Sequence, residues 1–140
     1  MTTHISLNPE CIPAFQDLQP RGSYKYILYT LSPAKPEIDI LKKVKWATYA
    51  DFLSDLPDDK CLYGVYSFDS EVEAEDKPWN KSLFVHWTPE KAGKEQTAKY
   101  GDAKINLYKE LMGLGAHVEG VDKEGISEGK VRDMVMRYEK

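Results

Sequence analysis

The stretch from Thr48 to Pro89 leaves the fewest folds open to this chain. Tyr49, Phe52, Leu53 and Leu56 recur at helical spacing and make the apolar face of a short helix. Pro57, Asp58 and Asp59 stop that helix and turn the chain. Leu62–Phe68 and Leu83–Trp87 are β-branched and aromatic runs of the kind that fill central strands. Between them lies an acidic connector, and Thr88-Pro89 opens a long helix. The predicted order is helix, strand, acidic hairpin loop, strand, helix.

The remaining punctuation extends that order to α-β-β-α-β-β-α-β-α. Asn8 or Ser6 can cap a first helix, with Pro9 at an early position where its missing donor is harmless. The cluster Gln19-Pro20-Arg21-Gly22-Ser23 ends it. Tyr24–Leu31 and Ile38–Val44 read as a hairpin joined across Ser32–Pro36, and Glu37-Ile38-Asp39-Ile40 alternates as a half-exposed strand does. His117–Val121 is a short strand after a Gly113–Gly115 helix stop, and Ser127 with Glu128 starts a last helix toward Arg137. Strands interleaved with helices predict an α+β fold, an α/β/α sandwich whose mixed five- to six-stranded sheet carries helices on both faces.

With 140 residues and an apolar fraction of 41%, the chain suits one domain over residues 1–140. No apolar run approaches the roughly 18 residues of a membrane span, and no charged-then-apolar leader opens the sequence. A net charge of −4 argues against nucleic acid as partner, since phosphates demand a basic field. Cys11 and Cys61 form no CxxC pair and read as reduced, structural thiols. The expectation is a monomeric, cytoplasmic protein without cofactor.

A search for catalytic chemistry finds no constellation. His4, His86 and His117 are scattered outside any metal-ligand spacing, and His86 inside a strand reads as structural. Gly113 and Gly115 follow a helix instead of opening one, so they are not a phosphate loop. Asp69, Glu71, Glu73, Glu75 and Asp76 lack the turn glycine of a calcium loop and read as a solvated hairpin tip. Function must therefore come from a binding surface. On the long helix, placed at about Glu90–Met112, Ala92, Gln96, Tyr100, Ala103, Leu107 and Leu111 make a stripe that faces the sheet. Ala98, Gly101, Ile105, Tyr108 and Met112 make a second stripe, expected to pack under a neighbouring helix, with Lys94 and Ala98 reaching a partner as the alternative.

Taken in order, NPECIPAFQDLQ (Asn8–Gln19), YKYILYTL (Tyr24–Leu31), TYADFLSDLPDD (Thr48–Asp59), YGVYSFD, LFVHWTPE and a helix with Tyr100, Lys104 and a closing KELMG resemble the actin-depolymerising factor/cofilin family. The resemblance covers nearly the whole chain and implies an ADF-homology domain that binds actin monomers and filament sides, promoting depolymerisation or severing. It also implies two surfaces. On the monomer side stand Thr3, His4, Ile5, Lys91, Lys94, Glu95, Thr97 and Ala98; on the filament side Trp79, Lys81, Asp133, Met134 and Arg137. Thr3 aligns with a regulatory serine, where a phosphate would weaken binding. Lys42, Lys43 and Lys45 have the charge to meet actin or acidic phosphoinositide headgroups, although a soluble strand end explains them as well.

The chain departs from the family where a basic Arg-x-Lys-Met-like segment is usual in the long helix: here stand Glu95, Gln96, Thr97 and Ala98. A charge reversal facing an acidic partner costs about 2–5 kcal/mol if buried and far less at a rim. Met134 likewise replaces an arginine, and Trp79 a basic residue. Two functions remain open: a divergent actin-turnover protein, or an adaptor on the same fold, glia-maturation-factor-like or coactosin-like, with little severing.

Overall fold

The computed structural model describes residues 6–18, 24–32, 37–69, 80–111 and 114–137. Six strands, β1 (Ser6–Leu7), β2 (Tyr26–Leu31), β3 (Glu37–Val44), β4 (Leu62–Asp69), β5 (Asn80–Trp87) and β6 (Leu114–Gly120), form one sheet in the order β1-β3-β2-β4-β5-β6. The β3-β2-β4-β5 centre is antiparallel, while β1 on β3 and β6 on β5 are parallel, so the sheet is mixed as expected. Four helices complete the fold: α1 (Cys11–Gln16), α2 (Tyr49–Ser54), α3 (Lys94–Tyr108) and α4 (Glu128–Arg137).

Alternation along the strands sorts side chains into two apolar layers. Tyr26, Leu28, Leu62, Tyr66, Leu83, Val85 and Trp87 face Tyr49, Phe52 and Leu56 around α2, with Ile126 ahead of α4 and Val131 on it. Ile27, Tyr29, Tyr63, Val65 and Phe84 face the other way, against Cys11 and Ala14 of α1 and Tyr100, Ala103 and Leu107 of α3. β4 is buried on both sides, which explains its unbroken apolar run.

The first layer holds a cluster of aromatic rings. Phe52 meets Tyr26 edge-on at 5.2 Å between centroids, and Tyr49 meets Tyr66 edge-on at 5.0 Å. The Tyr49 hydroxyl donates to the Ile126 carbonyl at 2.7 Å, and the Trp87 indole N–H to the Pro57 carbonyl at 2.6 Å. Pro57 thus turns the chain and also accepts a bond from the sheet. A capping box opens α2: the Thr48 hydroxyl accepts from the Asp51 amide at 3.2 Å, and the Asp51 carboxylate from the Thr48 amide at 2.9 Å.

Several sequence-based expectations are corrected. Ser6 caps nothing, because its segment is drawn out as β1 beside Glu37. The Asn8 side chain accepts from the Glu10 amide at 2.9 Å in a turn ahead of α1, and Pro9 lies outside the helix. With β1 added, Leu83–Trp87 belongs to the fifth strand, and the strand after α3 is shifted to end at Gly120, leaving Val121 exposed. The long helix begins at Lys94; Glu90–Ala92 is a separate 3-10 turn, divided from it by Gly93 at φ 88°. Only glycine adopts that conformation without strain. The helix ends at Tyr108, before the glycine pair, and Gly115 lies in β6. Of the second stripe of α3, Ala98 and Gly101 are exposed and Ile105 is 56% exposed, while Tyr108 turns in against Phe84 at 5.4 Å and Met112 lies outside the described residues. Both α1 and α3 lie on the sheet itself, so nothing is stacked over α3's outer side among the described residues.

A β-bulge in β3 was also invisible in the sequence. Leu28 opposes Lys42 and Tyr29 opposes Ile40, leaving Leu41 unopposed. The extra residue switches faces, so Ile38 and Ile40 serve one layer and Val44 the other.

Gly64 lies where a Cβ would stand 2.9 Å from the Phe52 ring, which Tyr26, Tyr49 and Tyr66 hold in place. Gly64→Ala is therefore expected to destabilise the protein by about 1–3 kcal/mol, the usual cost of overpacking, read as a lower denaturation midpoint in urea.

Candidate binding surfaces

The start of α3 is fixed to the sheet by directional bonds. The Gln96 side-chain oxygen accepts from the Cys61 amide at 2.6 Å, capping the entry to β4. One turn on, the Tyr63 hydroxyl donates to the Tyr100 carbonyl. The Tyr100 hydroxyl in turn accepts from the Leu31 amide at 3.0 Å and lies 2.8 Å from the Thr30 hydroxyl. These contacts set the helix's rotation about its axis. Gln96 and Thr97 turn toward Cys61 and are half-buried, whereas Lys91, Lys94, Glu95 and Ala98 are exposed. Lys91 lies 3.6 Å from Asp58, both largely in solvent, a contact of little energetic weight.

Of the expected monomer-side residues, Lys94, Glu95 and Ala98 are exposed at the start of α3 and Lys91 is exposed in the 3-10 turn before it, whereas Thr97 is half-buried. Thr3, His4 and Ile5 lie outside the described residues, as do Trp79 and the hairpin tip beyond Asp69. Lys81 is the second residue of β5, opposite Phe68. Asp133 is exposed on α4, and Met134 and Arg137 occupy its last turn. α4 packs on the α2 side of the sheet through Val131, opposite α3.

Two of the three clustered lysines are already engaged. Lys42 pairs with Asp55 at 2.9 Å, and Lys43 sits 5.0 Å over the Tyr24 ring. Burial opposes ionisation of Asp55, but the Tyr26 hydroxyl and the Lys42 ammonium hold its carboxyl below the usual carboxylate range. Lys45 and Trp46 project from the bend that follows, and the sequence-based grouping stopped one residue short of the tryptophan. Exposure of a residue beyond a strand end is set by where pairing stops, which periodicity does not reveal.

The reactive groups read as structural elements. Cys11 and Cys61 are free and buried, and burial pushes the Cys11 thiol up to about 11. An open depression of about 520 Å³ beside β1 and β3 is lined by Asn8, Glu10, Glu37 and Asp39, yet no described His, Cys, Asp or Glu group is arranged to hold a metal. No described helix is long and apolar enough to cross a membrane.

The two-faced sheet thus holds the start of α3 by directional bonds and leaves its outer side exposed. Comparison with known proteins gives the family. Residues 4–136 match the cofilin/tropomyosin-type actin-binding protein family. The chain is 32% identical to a cofilin of Ogataea parapolymorpha over 133 residues, covering 95% of this chain and 93% of the relative. In structure it superposes on the cofilin of Streptomyces griseoflavus with a TM-score of 0.87 at 30% identity, over 96% of this chain and 98% of that one. The human coactosin-like protein shares the fold alone, at TM-score 0.81 and 15% identity, covering 100% of this chain and 94% of the other. The chain belongs to the ADF/cofilin family of actin-binding proteins. Its partner is actin, and its work is binding without bond chemistry.

His86 supplies a pH signature. It is buried beside the Tyr63 ring, and neither imidazole nitrogen has a hydrogen-bond partner among the described residues. Burial depresses its pKa below 6.5; Glu119 acts in the opposite sense, and Lys104 and His117 add to the depression. The unfolded chain therefore binds a proton that the folded one refuses. Stability is unaffected by this group above about pH 6.5 and falls as pH drops below it, by at most about 1.4 kcal/mol per unit. His86→Phe is expected to flatten that part of the stability–pH curve, measured by urea denaturation between pH 7.5 and 5.

Proposed function

We propose that this protein binds actin monomers and the sides of filaments through two separate surfaces and promotes filament disassembly. Residues 1–140 act as one cofilin-like domain in the cytoplasm. The observation that carries the reading is the helix end: Gln96 and Tyr100 bind α3 to the sheet while Lys94, Glu95 and Ala98, with Lys91 in the turn before them, stay exposed to a partner. That end, with Thr3, His4 and Ile5, forms the monomer-side surface. Lys81 at the start of β5, Trp79 before it, and Asp133, Met134 and Arg137 of α4 form the filament-side surface. Thr3 is the point at which phosphorylation would add negative charge and weaken the first contact.

Within the monomer-side surface Glu95 is a tuning residue. It carries negative charge where an acidic partner favours a cation, and its exposed position keeps the penalty at the level of a rim charge. Thr97 matters less because it leans on Cys61.

Sedimentation of actin filaments with this protein tests the reading. Saturable co-pelleting, or actin released to the supernatant, is expected, and Lys81→Glu and Arg137→Glu should weaken co-pelleting while sparing monomer binding. Absence of both filament and monomer binding would sink it. Glu95→Arg is expected to tighten monomer binding about tenfold, equal to about 1.4 kcal/mol, with Thr97→Lys adding less. Titration of labelled monomer reads this out, and an unchanged affinity would remove Glu95 from the contact.

A further inference from the structure

The corner between β3 and α2 carries the largest unburied apolar side chain among the described residues. Trp46 is 86% exposed, and Leu41, extruded at the bulge, is 56% exposed. Neither Trp46 nor the adjacent Lys45 makes a hydrogen bond, ion pair or ring contact among the described residues. Scattered exposed apolar residues are ordinary, but an indole left this open is a costly surface choice and the side chain most enriched at the centres of binding interfaces.

The corner is also held still. On one side Val44 is locked opposite Tyr26, and on the other the Thr48–Asp51 capping box begins α2. The Lys42–Asp55 ion pair bridges strand and helix behind it. A partner meeting Trp46 therefore has little backbone to order, which lowers the entropic cost of association.

Register fixes where this corner stands relative to the filament-side residues. Val44 is level with Tyr26, Tyr26 with Tyr66, and Tyr66 with Leu83. Trp46 lies two residues past Val44, and Lys81 two residues before Leu83, so both leave the same end of the sheet. Three strand spacings separate those columns, about 14 Å. One interface of ordinary size, about 800 Å² per partner, spans both.

We propose that the β3–α2 corner, with Trp46 as anchor and Lys45 as its flanking cation, extends the filament-side surface and docks on an acidic surface of the actin subunit with an apolar recess for the indole. The inference rests on the filament-side reading of Lys81. Continuity along one sheet end and the shared positive sign of Lys45 and Lys81 favour one acidic protein surface over two unrelated partners.

The test compares Trp46→Ala, Lys45→Glu and Lys81→Glu in filament co-sedimentation and in monomer titration, with thermal melts as the folding control. Because Trp46 and Lys45 are exposed, the melts of their variants should match the parent protein. Trp46→Ala is expected to raise the filament Kd at least fivefold and leave the monomer Kd unchanged; Trp46→Phe should recover part of the loss, and Lys45→Glu should weaken filament binding more at low salt than at high. If Lys81→Glu weakens filament binding but Trp46→Ala and Lys45→Glu do not, the corner is outside the contact and the inference falls while the filament-side reading stands. If no variant has an effect, both fall. Retained filament binding with loss of binding to phosphatidylserine vesicles in Trp46→Ala would assign the corner to a lipid surface and overturn the proposal.

Discussion

Apolar packing alone would let α3 slide or roll on the sheet, because the hydrophobic effect has no direction. Three side chains remove that freedom: Gln96 at the Cys61 amide, Tyr63 at the Tyr100 carbonyl, and Tyr100 at Thr30 and the Leu31 amide. They span β2 and β4, so the helix is referenced to two strands at once. Each such bond is worth only about 1 kcal/mol net, yet the penalty for leaving a buried amide unpaired makes any other rotation expensive. The outward face of α3 follows from this. Lys94, Glu95 and Ala98 are exposed because Gln96 and Tyr100 are not free to be.

Much of this architecture was legible in the residues. Apolar runs located the two central strands and helical spacing located α2, and the Ala92–Leu111 stripe that meets the sheet was read correctly, with Tyr100, Ala103, Leu107 and Leu111 buried. What stayed hidden depends on partners rather than on pattern. The face switch at Leu41 arises from a pairing irregularity that alternation along β3 does not record. The break at Gly93 needed a φ value, since a glycine near a helix start is equally consistent with a cap. The outer stripe of α3 was expected to be covered, and whether a second helix lies over an apolar stripe is a question of topology.

The proposed surfaces divide along the same line. A likeness of motifs places Lys91, Lys94, Glu95, Thr97 and Ala98 together as a string, while the helix rotation separates them into an exposed group and a half-buried threonine. On the proposed monomer-side surface the half-buried Thr97 therefore carries less weight than the exposed Glu95, whose charge has electrostatic reach. Conversely, Trp46 drew no attention from motif matching. Its interest comes from leaving the same end of the sheet as Lys81, a relation carried by the β3-β2-β4-β5 register and by nothing local to the tryptophan.

A protein that disassembles filaments without chemistry acts only by binding one filament state better than another. The differential free energy must come from contacts whose mutual geometry the filament has to adopt, so those contacts need a stiff frame between them. Here the frame is the sheet: α3 is bonded to one face, α4 is packed on the other through Val131, and Tyr63 and Tyr66 of the doubly buried β4 reach into both layers. Softening that frame, by a cavity beside Phe52 or a charge on His86, would lower stability and would also loosen the geometry between the two proposed surfaces. In such a protein, affinity for actin and the power to take filaments apart are separable, because the first depends on the surfaces and the second on the rigidity of what joins them.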